Sequence, residues 1–288
     1  MFDSWIFFVV VFVVCQITFL QTFKYLTRET KNIGALTVAV QITSAVSIMV
    51  LAPFFRWTWP SGADWWMWLL LAVSFVLFAI NDRLDATTRK NLDISVDTML
   101  HQAYRILFFP MLILVWGNPF KWASLVGGIV IILMNMMLIF EKRKFQFNKY
   151  VCLKLLSVVF FAAALTAQLR AVEGFNLPFV VFLSFGVPAL FLLSIKQATP
   201  KTLYIEAKRK EWPVLLVCGA AQALMTFSLY MAYELGERVQ VNSITAVYVL
   251  LNVVFAYIFL KERTSLVKKS IAAVVIVASL VFIAVSPF

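Results

Sequence analysis

Apolar runs broken by short polar clusters recur along the whole chain. A helix rises about 1.5 Å per residue, so about 20 apolar residues cross a hydrocarbon core of about 30 Å. By that ruler, spans are predicted at 4–23, 33–55, 65–82, 95–116, 121–140, 150–170, 178–196, 212–234, 241–260 and 266–286. The runs are continuous rather than alternating with period two, which excludes a membrane β-barrel. No linker is long or polar enough to form a soluble domain. The first run lacks a basic leader and a small-residue cleavage motif, so it is expected to span rather than to be a cleaved signal.

Displaced by 145 residues, the first five runs fall on the last five. Val96–Phe140 lies on Val241–Val285 without a gap, and the pair Gly127-Gly128 falls on Ala272-Ala273. Five is odd, so two such halves must lie upside down relative to each other. The expected fold class is therefore an all-α membrane protein with ten transmembrane helices, built as two inverted five-helix repeats. These cover residues 1–145 and 146–288 within one integral membrane domain. Inverted repeats recur in secondary transporters, with the solute held near mid-depth between them.

Composition agrees. Apolar residues make up 62% and charged residues 14%, against roughly 45–50% and about 25% in soluble domains. The net charge of +11 sits in the short segments between runs, which is the positive-inside pattern of a membrane protein rather than a nucleic-acid surface. With the N-terminus outside, the inner loops hold nineteen Lys and Arg and the outer ones four: Arg56, Lys121, Arg170 and Arg238. Trp5, Trp57, Trp59, Trp65, Trp66, Trp68, Trp116 and Trp122 gather at the predicted outer face, and Trp212 alone at the inner one. Cys15, Cys152 and Cys218 show no ligand spacing and are expected as buried free thiols.

The stretch Asn242 to Ser265, with its turn Lys261-Glu262-Arg263 followed by a final span, resembles the closing segment of EamA-like members of the drug/metabolite transporter superfamily. Pro110 stands in the first half where that family often carries a proline. Gly117 replaces the glutamate of the first-half turn, and Phe255 replaces the second-half proline. The resemblance implies a ten-helix metabolite carrier, with both termini in the cytosol. The charge count instead puts both termini outside.

Ionisable groups deep in a span are costly and are functional candidates by default. Asp97, His101 and Arg105 share one helical face at i, i+4 and i+8. Arg105 is a candidate clamp for a carboxylate or phosphate, and the alternative is a structural network. His101 is a candidate solute ligand and, with Asp97, a proton-coupling candidate; the structural network is the alternative for both, and helix capping a further one for Asp97. In the mirror helix Thr245, Tyr248 and Asn252 share a face and are candidate solute ligands or interhelical glue. Gln16 and Gln41 join the candidate solute ligands; Asn135 and Gln222 are further polar groups at depth. Lys154 is expected to snorkel to the headgroups, and Asp82 and Glu234 to lie solvated at span ends. Pro110, Pro178 and Pro188 are expected to bend their helices.

No P-loop, dinucleotide fingerprint or catalytic triad is present, so neither ATP-driven transport nor catalysis is expected. No cofactor and no metal are expected. The leading expectation is a multi-pass secondary transporter of a small polar solute, anionic or zwitterionic, working by alternating access in a plasma membrane such as the bacterial inner membrane. A lipid-linked-substrate flippase and a non-transporting assembly subunit are the alternatives. The expected partners are the solute and the lipid bilayer, not nucleic acid; a homodimer is open to it. A polar cavity at mid-depth, lined by the fourth and ninth spans, is what the carrier reading requires.

Overall fold

The computed structural model describes residues 4–51, 64–117, 122–141, 144–145, 148–209, 211–261 and 266–285. Thirteen α-helices account for nearly all of it. They are α1 (Trp5–Glu29), α2 (Ile33–Leu51), α3 (Trp65–Asn91), α4 (Ile94–His101), α5 (Tyr104–Trp116), α6 (Trp122–Ile139), α7 (Lys149–Val172), α8 (Leu177–Ser194), α9 (Pro200–Ala207), α10 (Trp212–Leu235), α11 (Arg238–Ile244), α12 (Tyr248–Phe259) and α13 (Leu266–Val285). A two-residue pairing, β1 (Phe140–Glu141) with β2 (Lys144–Phe145), follows α6. Among the described residues nine segments are long and apolar enough to cross a membrane. The predicted run 121–140 is helical as α6 but is not one of the nine, so the expected number of ten is not reached by that count. Trp57, Trp59 and Arg56, the turn residues Asn118–Lys121 and Glu262–Ser265, and Lys142 and Arg143 lie outside the described residues. So does the side chain of Asn135.

The helix starts follow ordinary capping chemistry. The Asn148 side chain accepts from the backbone N–H groups of Tyr150 and Val151 at 2.9 and 3.0 Å, satisfying two donors that the first turn of α7 leaves open. Pro178 lies in the first two positions of α8, where its missing N–H costs nothing, so it starts that helix rather than bending it. Pro110 and Pro188 do lie inside helices.

The close helix pairs run antiparallel except α2 and α10, whose contacts advance in the same direction. α1 packs along α10, α3 along α7, α2 against α8 and α10, and α6 against α13. These partnerships exchange under the displacement that relates the halves: α1–α10 becomes α7–α3, while α2–α8 and α6–α13 map onto themselves. The contacts are close enough to need missing side chains. A Cβ on Gly219 of α10 would strike Thr43 of α2, and one on Gly174 would strike Met67. In α7, Ala162 and Ala164 are fully buried. Small residues let backbones approach where lipid offers no hydrophobic drive for association.

The antiparallel packing gathers the chain into two ends. At one, Trp68 meets Phe175 edge-on at 4.7 Å, Arg170 lies over Trp66, and Arg238 pairs with Glu173 at 3.0 Å. At the other, Lys24 donates to the carbonyls of Arg89 and Leu92 and Lys90 to that of Thr30 at 2.9 Å. Thr30 donates to Glu206 at 2.7 Å, and Lys269 pairs with Asp93 at 2.7 Å. Lysines here cap the carbonyl ends of helices, where the helix dipole favours a cation. We call these the tryptophan end and the lysine end.

Candidate functional site

Two predicted spans are broken, and at corresponding places. In the first half α4 ends at His101 and α5 begins at Tyr104. In the second half a 3-10 turn, Thr245–Val247, separates α11 from α12. Displaced by 145 residues, Thr245–Val247 falls on Leu100–Gln102. At the first break the backbone switches to i→i−3 bonds, Gln102 to Met99 at 3.0 Å and Ala103 to Leu100 at 3.1 Å. The Gln102 side chain donates to the Thr98 carbonyl at 3.1 Å, covering the acceptor that the break sets free. At the second break Thr245 Oγ1 does the same for the Asn242 carbonyl at 2.9 Å.

Arg105 ties the two breaks together. Its Nε donates to Gln102 Oε1 at 2.8 Å and one terminal nitrogen to Asn242 Oδ1 at 2.8 Å. Thr245 Oγ1 lies 3.3 and 3.4 Å from the two terminal nitrogens. The Asn242 oxygen also accepts from Tyr104 and Tyr233, both at 3.2 Å. Arg105 is fully buried. Its partners are neutral side chains of both halves, so the guanidinium acts here as a staple.

Beside this staple lies a chamber of about 120 Å³. Its polar wall comprises Gln16 of α1, Asn81, Asp82, Asp85 and Arg89 of α3, His101 of α4, Gln168 of α7, Ser184 of α8, Gln222 of α10 and Tyr248 of α12. Both broken segments therefore reach it, through His101 and Tyr104 on one side and Tyr248 on the other. A smaller side cavity of about 20 Å³ adjoins it, lined by Thr37 and Gln41 of α2 together with Asp82, Asp85, Arg89 and Gln222.

The predicted site residues divide accordingly. Gln16, His101 and Tyr248 line the chamber, and Gln41 lines the side cavity. Arg105, Thr245 and Asn252 line neither. Asn252 donates to Thr98 at 2.9 Å and accepts from Gln21 at 2.8 Å, joining α12 to α4 and α1. Asp97, His101 and Arg105 were expected on one face. Asp97 and His101 keep their shared face of α4, one reaching an ion cluster and the other the chamber, while the turn at Gln102–Ala103 resets the helical phase and carries Arg105 away to the second break.

That ion cluster was not foreseen. Lys154 of α7 is fully buried rather than snorkelled. It bridges Asp85 and, at 2.8 Å, Asp97. Arg89 pairs with Asp85 at 2.5 Å and lies 3.5 Å from Asp97; Thr88 donates to Asp97 at 2.8 Å. Two carboxylates and two cations thus balance. Asp82 is likewise no span end, because α3 runs nine residues further, to Asn91. Its carboxylate accepts from Gln41 Nε2 at 2.8 Å and from Asn81 at 3.1 Å. Among the described residues no cation lies within ion-pair distance of it. The spacing of Asp82, Asp85 and Arg89 at i, i+3 and i+7 is a helical face, and reading it as one would have carried the span through them. Glu234 is exposed, as expected. Cys218 is buried and Cys15 half-buried, but Cys152 is exposed, contrary to the expectation for buried thiols.

A second cavity, of about 410 Å³, opens at the tryptophan end between Glu173, Asn176, Glu234 and Arg238. It shares Tyr230 with the chamber. Tyr230 donates to Gln168 Oε1 at 2.6 Å, and Gln168 donates in turn to Ser184. The larger cavity is a vestibule; the chamber holds the convergent polar groups.

Comparison with known proteins follows the same lines. Residues 148–285 match the model of the EamA-like transporter family. A crystal structure aligns over 96% of this chain and 94% of its own, with a TM-score of 0.67 at 12% identity, which is a likeness of fold. No curated protein matches the chain. With its apolar helices, the chain is a multi-pass membrane protein whose second half, α7 to α13, matches the EamA-like transporter family.

Proposed function

We propose that the protein is a secondary carrier for a small zwitterionic metabolite, held in the chamber and released by alternate opening of its two ends. The observation that carries this reading is a water-sized-to-metabolite-sized polar chamber reached by both broken helices. Discontinuous helices in matching positions of two repeats are the usual marker of a transporter's binding site. Buried charge inside a membrane is retained where it serves a solute or ion path.

The wall chemistry favours a zwitterion. Arg89 and the carboxylates of Asp82 and Asp85 lie on one side, with the amides of Gln16 and Gln222 and the ring of His101 around them. Asp82, which is outside the ion cluster, is the partner for an ammonium, and Arg89, whose Nε makes no hydrogen bond, is the partner for a carboxylate. An anion clamp at Arg105 has less support, since its donors are occupied by Gln102, Asn242 and Thr245. The chamber's volume of about 120 Å³ falls below the roughly 300 Å³ at which drug-sized sites begin, which restricts the cargo to few heavy atoms. The lysine end is closed by bonds between the halves such as Lys269–Asp93 and Thr30–Glu206. At the tryptophan end the Tyr230–Gln168 bond is what stands between vestibule and chamber.

Counterflow in proteoliposomes, across a panel of amino acids and small organic acids, tests the reading. A subset of zwitterions should exchange, and Gln16→Ala and Gln222→Ala should raise their KM. Wild-type protein that exchanges nothing on the panel, or both variants with unaltered KM, refutes it.

A further inference from the structure

Within the chamber Asp82 differs from every other acid. Asp85 and Asp97 are each shared between Arg89 and Lys154, whereas Asp82 has only amide partners. Gln41, which donates to it, is itself about 1% exposed, and its Oε1 has no hydrogen-bond partner. Both groups border the side cavity of about 20 Å³, room for a single water. A buried amide oxygen left unpaired carries a desolvation cost, and so does a carboxylate without a cation. Proton uptake by Asp82 removes the uncompensated charge and gives the Gln41 oxygen a donor.

We propose that Asp82 and Gln41 form a proton-binding site in which the Gln41 amide hydrogen-bonds Asp82 in both protonation states. In the charged state Gln41 Nε2 donates to the carboxylate, as observed. On protonation, a hydronium in the chamber gives its proton to a carboxylate oxygen of Asp82. An O–H bond forms, the negative charge disappears and a water molecule is left. The amide of Gln41 then turns over, and its Oε1 accepts from the new hydroxyl. The amide's nitrogen and oxygen are nearly the same size, so the turn needs no repacking.

The charged surroundings permit such a switch. α3 itself brings Asp85 and Arg89, α7 brings Lys154 and α4 brings His101. Tyr104, Tyr230 and Tyr248 come from α5, α10 and α12, while α1, α2 and α8 bring only neutral groups to the two cavities. The two cations of the cluster are paired with Asp85 and Asp97, so among the described residues lining the two cavities Asp82 is the acid outside an ion pair. Gln41 sits on α2, which packs on α8 and α10 of the other half. Proton uptake is thereby placed at the seam that must move in the carrier reading, on which its use for coupling rests.

Infrared pH-difference spectra of the purified full-length protein test the site without any solute. The wild type should show a buried carboxylic-acid C=O band that is lost in Asp82→Asn and kept, displaced, in Asp82→Glu. In proteoliposomes an imposed pH gradient should drive accumulation of an exchanged zwitterion by the wild type, and Asp82→Asn should lose that accumulation. A wild type without the band, or a band that survives in Asp82→Asn, overturns the proposal. A wild type that shows the band yet exchanges no compound supports the proton site while refuting the carrier.

Discussion

Lys154 offers the sharpest test of how the interior is held. Its ammonium is fully buried between Asp85 and Asp97. In Lys154→Met the side-chain volume is nearly kept and the charge is lost. Two carboxylates must then share Arg89, which already lies 3.5 Å from one of them. Breaking a buried ion pair from one side costs about 3–5 kcal/mol, because a charge is left uncompensated. A domain of 150–250 residues loses about 2–4 °C of melting temperature per kcal/mol. This chain of 288 residues belongs at the shallow end, so the expected drop is about 6–10 °C. Thermal denaturation in detergent, read by the loss of the monodisperse chromatographic peak, measures it. Asp97→Asn added to Lys154→Met restores the balance of one carboxylate to one cation, and should recover about 2 kcal/mol, or about 4 °C. A Lys154→Met protein that melts with the wild type would mean the lysine reaches the headgroups after all. A double variant that falls by the sum of the two single losses would refute the balance argument.

Arg105→Ala removes the staple between the broken helices and strips donors from Gln102, Asn242 and Thr245. It should cost about 3 kcal/mol of stability, seen as a melting temperature about 6 °C lower, with solute KM changed less than about threefold; a KM raised about tenfold, equivalent to about 1.4 kcal/mol, would restore Arg105 as a solute ligand. Tyr230→Phe removes the hydroxyl that bonds Gln168, worth about 1 kcal/mol. A cysteine placed at Gln222 should then react about fivefold faster with a small thiol reagent added from the tryptophan end, and an unchanged rate would show that this bond does not bar the way.

Much of the fold was legible because crossing a membrane is a local property. Each run must shed its own backbone polarity and present its own apolar side chains, whatever its neighbours do. The positions of α1, α2, α7, α8, α10 and α13 were therefore readable one segment at a time. The grouping of tryptophans and lysines followed from where those segments end. The mirrored polar residues in the fourth and ninth spans lie on the two spans that the structure breaks.

The sequence could not by itself decide which polar residues meet. Lys154 and Asp85 stand 69 positions apart, and their partnership exists only because α3 and α7 pack antiparallel. Read alone, Lys154 is a basic residue near a boundary and Asp82 the polar end of a run; paired or hydrogen-bonded, they let α3 continue nine residues further. Likewise, a continuous 3.6-residue period puts Asp97, His101 and Arg105 on one face, and a single turn at Gln102–Ala103 takes Arg105 off it. Hydrophobic burial sets where each helix lies in the bilayer. The pairing of buried charges and freed carbonyls, which depends on partners far along the chain, sets where the helices break and which side chains face the chamber.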